Sequence, residues 1–214
     1  MTLSAYLTVL MLNLVGSISP GPDTVLVTRL ATKSRRHAVA AALGVQTGAL
    51  CWFSLTVFGA ATVLSTFPEI LGAVQIVGGS FLIYMGSRLV RGGLIQRKYP
   101  PASLEEVEGV LGRPIRSYRA GVACNLSNPK IVLFLASLIA PLLPAHAGIG
   151  ASVTLIAGLS LTSVALFLTL AVVVSTAAVR RRLLKAGPGI DIGSGAFFVV
   201  AGAALAIAGV TSFI

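Results

Sequence analysis

Charge is scarce in this sequence: 10% of its 214 residues are charged and only 6 are acids, against 56% hydrophobic residues and a mean hydropathy of +0.94. A soluble domain cannot hide that much apolar surface, so the composition indicates a polytopic membrane protein. Cysteine is limited to Cys51 and Cys124, each within an apolar run, which excludes a disulfide framework and leaves both as small packing residues. The histidines, His37 and His146, stand at the edges of apolar runs in no metal-ligand spacing. No Ser/His/Asp set or phosphate loop occurs, which removes support for a hydrolase or an ATPase. The polar segments also lack aromatic stacking platforms, so the net charge of +10 does not point to nucleic acid.

The 16 Lys and Arg residues are gathered in blocks. Arg29, Lys33, Arg35 and Arg36 form one; Arg88, Arg91, Arg97, Lys98, Arg113, Arg116 and Arg119 a second; Arg180, Arg181, Arg182 and Lys185 a third; only Lys130 stands apart. Between the blocks lie six apolar spans, at about residues 3–29, 38–64, 68–90, 117–143, 150–178 and 190–213. Each can cross a hydrocarbon layer of about 30 Å as a helix. Basic connections follow spans one, three and five, whereas "STFPE" and "PLLPAHAG" follow two and four. The positive-inside rule then predicts both termini outside. The first span lacks a basic leader and resumes after Asp23, so it is expected to stay with the protein and not to be cleaved as a signal peptide.

Residues 92–116 are the only long polar connection, a solvated cytoplasmic linker by composition. They divide the chain into three-span halves, 1–91 and 117–214. Three is odd, so two similar halves must run in opposite senses, the inverted-repeat arrangement in which corresponding spans are interrupted near a substrate site. Span one is interrupted at "SISPGPDTVL" and span four at "CNLSNPKIVLF", which places Pro22-Asp23 and Pro129-Lys130 at matching points. A proline inside a helix removes a donor and frees a carbonyl. In lipid such groups need protein, water or ligand as partners, so the breaks predict a water-accessible cavity.

An acid or a lysine at mid-span costs about 2.5 to 3.5 kcal/mol and usually faces an interior partner. Asp23 can cap the restarted helix, hold a cationic group or carry a proton; Lys130 can snorkel, neutralise Asp23 or hold an anionic group. A zwitterionic amino acid would suit the pair. Elsewhere, Gly44 with Gly48, and Gly189 with Gly193, read as close helix packing. Gln46 and Gln75 can face the cavity, but an interhelical hydrogen bond is the favoured reading; Asp191 reads as a helix-start acid, and Pro141 and Pro144 as the end of span four.

"SPGPD" in span one, the basic residues after it, Gly44 and Gly48, "FLIYMGSRLVRGG" and "YRAGVACNLSNPK" together resemble the LysE-type amino-acid exporter superfamily, in particular its RhtB (homoserine/threonine exporter) branch. The motifs occur in order from about residue 3 to 145 and continue more loosely beyond. The resemblance implies a bacterial inner-membrane exporter of amino acids driven by the proton gradient. It also implies functional positions at Pro20, Gly21, Pro22, Asp23, Asn125, Asn128, Pro129 and Lys130. Family members commonly carry Pro-Gln late in span four, where this chain has Pro141 and Leu142.

The expectation is therefore an all-α membrane protein of six transmembrane helices in two inverted three-helix repeats with broken first and fourth helices. It would export a small amino acid by alternating access, with no catalytic residue, cofactor, metal or nucleic-acid partner. Its small-residue faces would suit a homodimer. A cation or metal-ion exporter, a membrane-embedded enzyme and a structural subunit are the competing readings. The first lacks intramembrane His, Glu or paired Asp clusters. The enzyme lacks a second titratable partner for Asp23, and the subunit has no need of charges at matching breaks.

Overall fold

A computed structural model describes residues 2–18, 21–58, 68–99, 104–135, 139, 142, 148–179 and 186–211. Pro20, Pro141, Pro144, His146 and the third basic block lie outside the described residues. The fold is helical: α1 (Leu3–Ile18), α2 (Pro22–Lys33), α3 (Arg35–Val57), α4 (Pro68–Lys98), α5 (Leu104–Leu111), α6 (Pro114–Leu126), α7 (Pro129–Phe134), α8 (Ile149–Val174) and α9 (Gly187–Thr211). There is no strand among the described residues. Helices α3, α8 and α9 are long and apolar enough to cross a membrane, as is the broken pair α1 and α2 taken as one span, bent by 59°.

The described helices begin near the predicted span starts. Their ends differ where sequence chemistry favours helix beyond the apolar run. Helix α4 continues through Arg91, Arg97 and Lys98, strong helix formers that need water and not lipid, so that the expected linker is partly helical. A further short helix, α5, and the start of α6 at Pro114 occupy much of its remainder.

Among the described residues, two helix pairs meet through glycines on both partners. On α4 and α9 the contact repeats every seven residues: an added Cβ would lie 2.5 Å from the Gly202 carbonyl at Gly79 and 2.5 Å from the Gly195 carbonyl at Gly86. One at Gly209 would lie 2.7 Å from the Gly72 carbonyl. A step up one helix matches an equal step down the other, so the pair is antiparallel, in the heptad register that keeps one seam facing its partner. The expected Gly189/Gly193 pair is not the contact: neither has an atom within 4 Å of an added Cβ. The seam falls instead at Gly195, Gly202 and Gly209, because a strict seven-residue spacing keeps one face toward α4 whereas a four-residue pair at the helix start points elsewhere.

The other glycine contact matches expectation. A Cβ on Gly44 would meet the Tyr118 carbonyl at 2.0 Å, one on Gly121 the Ala41 carbonyl at 2.3 Å, and one on Gly48 the Asn125 side chain at 2.8 Å. From His37 against Gly112, through Gly44 against Tyr118, to Gly48 against Asn125 the contacts advance together, so α3 and α6 are parallel and in backbone contact. Helices α1 and α8 are parallel too, since Tyr6 bonds the Thr154 carbonyl and Asn13 bonds Ser163. The contacts of Asp191 with Arg29 and Gly93, and of His37 with Gly112, gather the first two basic blocks at one end of the bundle.

The buried apolar side chains form two clusters. One, toward the basic end, joins Leu26, Val27 and Leu30 of α2 to Ala41 and Val45 of α3, Cys124 of α6, Phe167 of α8 and Phe198 of α9. The other joins Val9 of α1 to Trp52 and Phe53 of α3, Val132 and Leu135 near α7, and Leu155 and Leu159 of α8. Each broken span thus sends one half to each cluster. Both cysteines are free, Cys51 exposed and Cys124 buried.

Candidate functional site

Both breaks restart on a proline. Pro22 and Pro129 occupy the first turns of α2 and α7, where a missing N–H costs nothing and the fixed φ suits the helix. The residue before each is extended, Gly21 at φ −168° and Asn128 at φ −89°. Because Pro129 cannot donate to the carbonyl four residues back, Asn125 O takes the Asn128 N–H at 3.0 Å and the Trp52 indole at 3.4 Å. Asn128 caps α7, its side chain accepting from the Lys130 N–H at 3.0 Å.

Asp23 is not the cap of its own helix; that position belongs to Gly21, and no side chain caps it. The Asp23 carboxylate instead crosses to the other half of the chain. Its Oδ2 accepts from Asn125 Nδ2 at 2.9 Å and Asn128 Nδ2 at 2.8 Å, with all three residues buried. Lys130 lies over Gly21, where an added Cβ would be 3.1 Å from its Cδ and 3.4 Å from its Nζ. The structure therefore brings together Gly21, Pro22, Asp23, Asn125, Asn128, Pro129 and Lys130.

Of these, Gly21, Asp23, Asn125, Asn128 and Lys130 edge a cavity at the junction of the two apolar clusters. Asp23, Asn125, Asn128 and Lys130 supply its polar wall; Val45, Phe53, Ile131, Phe134 and Phe167 supply apolar walls. Four atoms of its lining residues are buried with no hydrogen-bond partner among the described residues: Asp23 Oδ1, Asn125 Oδ1, and Gln46 Nε2 and Oε1. Buried polar groups in native proteins are ordinarily paired, so such a convergence marks a place where a ligand or water completes the set.

Two lining residues differ from the sequence reading. Gln46 makes no interhelical hydrogen bond among the described residues and takes the less favoured reading instead, because the close α3–α6 approach at Gly44 and Gly48 turns that face of α3 toward the cavity. Asn13 carries no proline or charge to flag it, yet its buried Nδ2 is 2.9 Å from Ser163 Oγ, 3.1 Å from Thr162 Oγ1 and 3.2 Å from the Leu159 carbonyl. Its signal was a lone amide in the apolar run "LMLNLVG".

Outside the cavity, Asp191 is buried within α9 and is not a helix-start acid. Its Oδ1 accepts from Arg29 Nε at 2.7 Å, and its Oδ2 pairs with Lys33 Nζ. His37, also buried, lies 3.1 Å from Ser34 Oγ and 3.0 Å from the Gly112 carbonyl.

Residues 14–209 match the family model described as "LysE type translocator". The threonine efflux proteins of Salmonella typhi and of Escherichia coli K12 are each 28% identical over 197 residues, 92% of this chain and 94% of theirs. The leucine efflux protein of Klebsiella pneumoniae is 32% identical over 135 residues, 62% of this chain and 60% of its own. No solved structure matches significantly. The chain belongs to the LysE type translocator family and is a transporter, not an enzyme.

Proposed function

We propose that this protein exports a small amino acid across the bacterial inner membrane by alternating access, with Asp23 and Lys130 holding the zwitterion. The carrying observation is the cavity between the two broken spans, in which Asp23 Oδ1 has no partner among the described residues while its Oδ2 is held by two asparagines. Oδ1 is an acceptor for an α-ammonium group, and the Lys130 ammonium lies on the same cavity wall for the carboxylate. The threonine and leucine efflux proteins among the relatives support the substrate class.

The inverted repeat is supported by the packing. Exchanging the halves turns the parallel pair α3 with α6 into the parallel pair α8 with α1, and relates Gly21-Pro22-Asp23 to Asn128-Pro129-Lys130. In this reading the six spans are α1 with α2, α3, α4, α6 with α7, α8 and α9, and both termini lie outside. The two apolar clusters are then the two gates. The cluster of α2 and α6 closes the cytoplasmic side, the cluster of α1 and α7 closes the outer side, and the breaks let each gate move separately. Proton coupling belongs to the same proposal, with Asp23 as the group that exchanges ammonium for proton.

The test is release of a labelled amino-acid panel from loaded liposomes containing the purified protein, with and without an imposed proton gradient. The wild type is expected to release at least one amino acid faster with the gradient. Asp23→Asn and Lys130→Met should each lower release at least tenfold at equal protein content. Full release by both variants would overturn the site; no release of any amino acid by the wild type would overturn the function.

A further inference from the structure

Gln46 is a buried amide with both polar atoms unpartnered among the described residues, 8% exposed, in the wall of the cavity. Its height in the bundle is fixed by its own helix. It lies two residues, about 3 Å of helix rise, before Gly48, which abuts Asn125, which in turn bonds Asp23. Gln46 thus sits within one helical turn of the acid. On the same face of α3 follow Ala49 and Phe53, both lining the cavity. An amide buried without partners costs about 1–3 kcal/mol for each unsatisfied group. An apolar side chain here would cost nothing of the kind, so packing does not explain a glutamine at this position.

We infer that Gln46 is the specificity-determining residue of the cavity: its amide reads a hydrogen-bonding group on the side chain of the transported amino acid. This rests on the reading of the cavity as an amino-acid site. With the α-ammonium on Asp23 and the carboxylate at Lys130, the side chain is left facing Val45, Phe53, Phe167 and the Gln46 amide. That amide offers one donor group and one acceptor, the complement of a hydroxyl or another amide. An aliphatic side chain of the same shape displaces water from the amide without replacing its hydrogen bonds. A site built to pair a hydroxyl therefore discriminates against the isostere that lacks it far more strongly than an apolar pocket does.

The experiment measures release from liposomes of three near-isosteric pairs: threonine and valine, serine and 2-aminobutyrate, asparagine and leucine. For at least one pair the wild type is expected to release the polar member at least tenfold faster, and Gln46→Leu should bring that ratio below about threefold while the apolar member is still carried. Gln46→Met serves the same purpose if the leucine variant does not reach the membrane. Because the variants remove groups that have no partner among the described residues, the purified proteins should melt no lower than wild type. A residue that merely braced the fold would show the opposite: a lower melting temperature and an unchanged ratio. The inference is overturned if the wild type prefers no polar member, or if both variants keep the wild-type ratio. If the wild type releases none of the six while carrying other panel amino acids, Gln46 is not reading these groups and the inference alone falls; if it carries nothing, the export reading falls with it.

Discussion

Asn128 faces Asp23 in two capacities: its Nδ2 donates to the carboxylate at 2.8 Å, while its Oδ1 caps the helix that carries Lys130, at 3.0 Å from that residue's N–H. Substitution can separate these tasks. Serine is a good N-cap but cannot also supply the amide donor, so Asn128→Ser should keep stability within about 1 kcal/mol. Release should nevertheless fall at least tenfold, because Asp23 loses half of the clamp that aims its Oδ1. Alanine loses both tasks, and Asn128→Ala should cost about 1 kcal/mol more than serine. Thermal unfolding in detergent beside liposome release would check this, and wild-type release by both variants would refute it.

The asparagine clamp depends in turn on how closely α3 approaches α6. At Gly48 an added Cβ would lie 2.8 Å from Asn125 Oδ1 and 2.9 Å from its Cβ, so Asn125 must move, and Asp23 is what it holds. Gly48→Ala, a change of one methyl with no change in charge, should lower release at least tenfold. Gly92→Ala is the control, since nothing lies within 4 Å of a Cβ there. Equal release by the two variants would show that the Asn125 position does not matter.

The paired breaks were legible in the sequence because proline and charge leave strong local signals. Pro22-Asp23 and Pro129-Lys130 stand out in apolar runs, and the structure brings them to one cavity. What stayed hidden depends on which way a face points. For Gln46 both uses were open, and the bond to a neighbour was favoured: a lone amide on a helix does not choose between neighbour and cavity until the Gly44 and Gly48 contact fixes the rotation of α3. Asp191 was misread for a related reason. Nothing local to "GPGIDIG" announces that Arg29 and Lys33, more than 150 residues earlier, are its partners. The heptad glycines of α4 and α9 were present as a spacing, but a seam needs both strands of the pattern, and only the fold sets them face to face.

That seam yields a position-specific prediction. Overpacking a filled interface costs about 1–3 kcal/mol, whereas alanine at an open helical position is better than glycine by about 1 kcal/mol. Gly195→Ala must push against the Gly86 carbonyl, 2.6 Å from the new Cβ, while Gly193→Ala meets nothing within 4 Å. The first should lower the melting temperature and the second should hold or raise it, although the two sites are only two residues apart. The reverse order would mean that α4 and α9 do not pack in this register.

The buried ionic cluster at the basic end makes the strongest stability prediction. Asp191 carries two cations, Arg29 and Lys33, and its side chain is only 2% exposed. Removing the one acid leaves two like charges confined together, a loss of about 3–5 kcal/mol when a buried pair is broken from one side. Replacing all three with apolar residues of similar size removes both the attraction and the desolvation, and is often neutral. Asp191→Ala should therefore melt well below the wild type, and the triple variant Arg29→Met, Lys33→Met, Asp191→Leu should recover most of that loss. Because the cluster ties α2 to α9 across the cytoplasmic gate proposed above, transport gives a second readout. If the ion pairs must part for the gate to open, the triple variant, stable but without the pairs, should release substrate at a rate different from wild type. A triple variant that matches the wild type in both melting and rate would assign the cluster no part in gating and leave it only the task of neutralising its own charges.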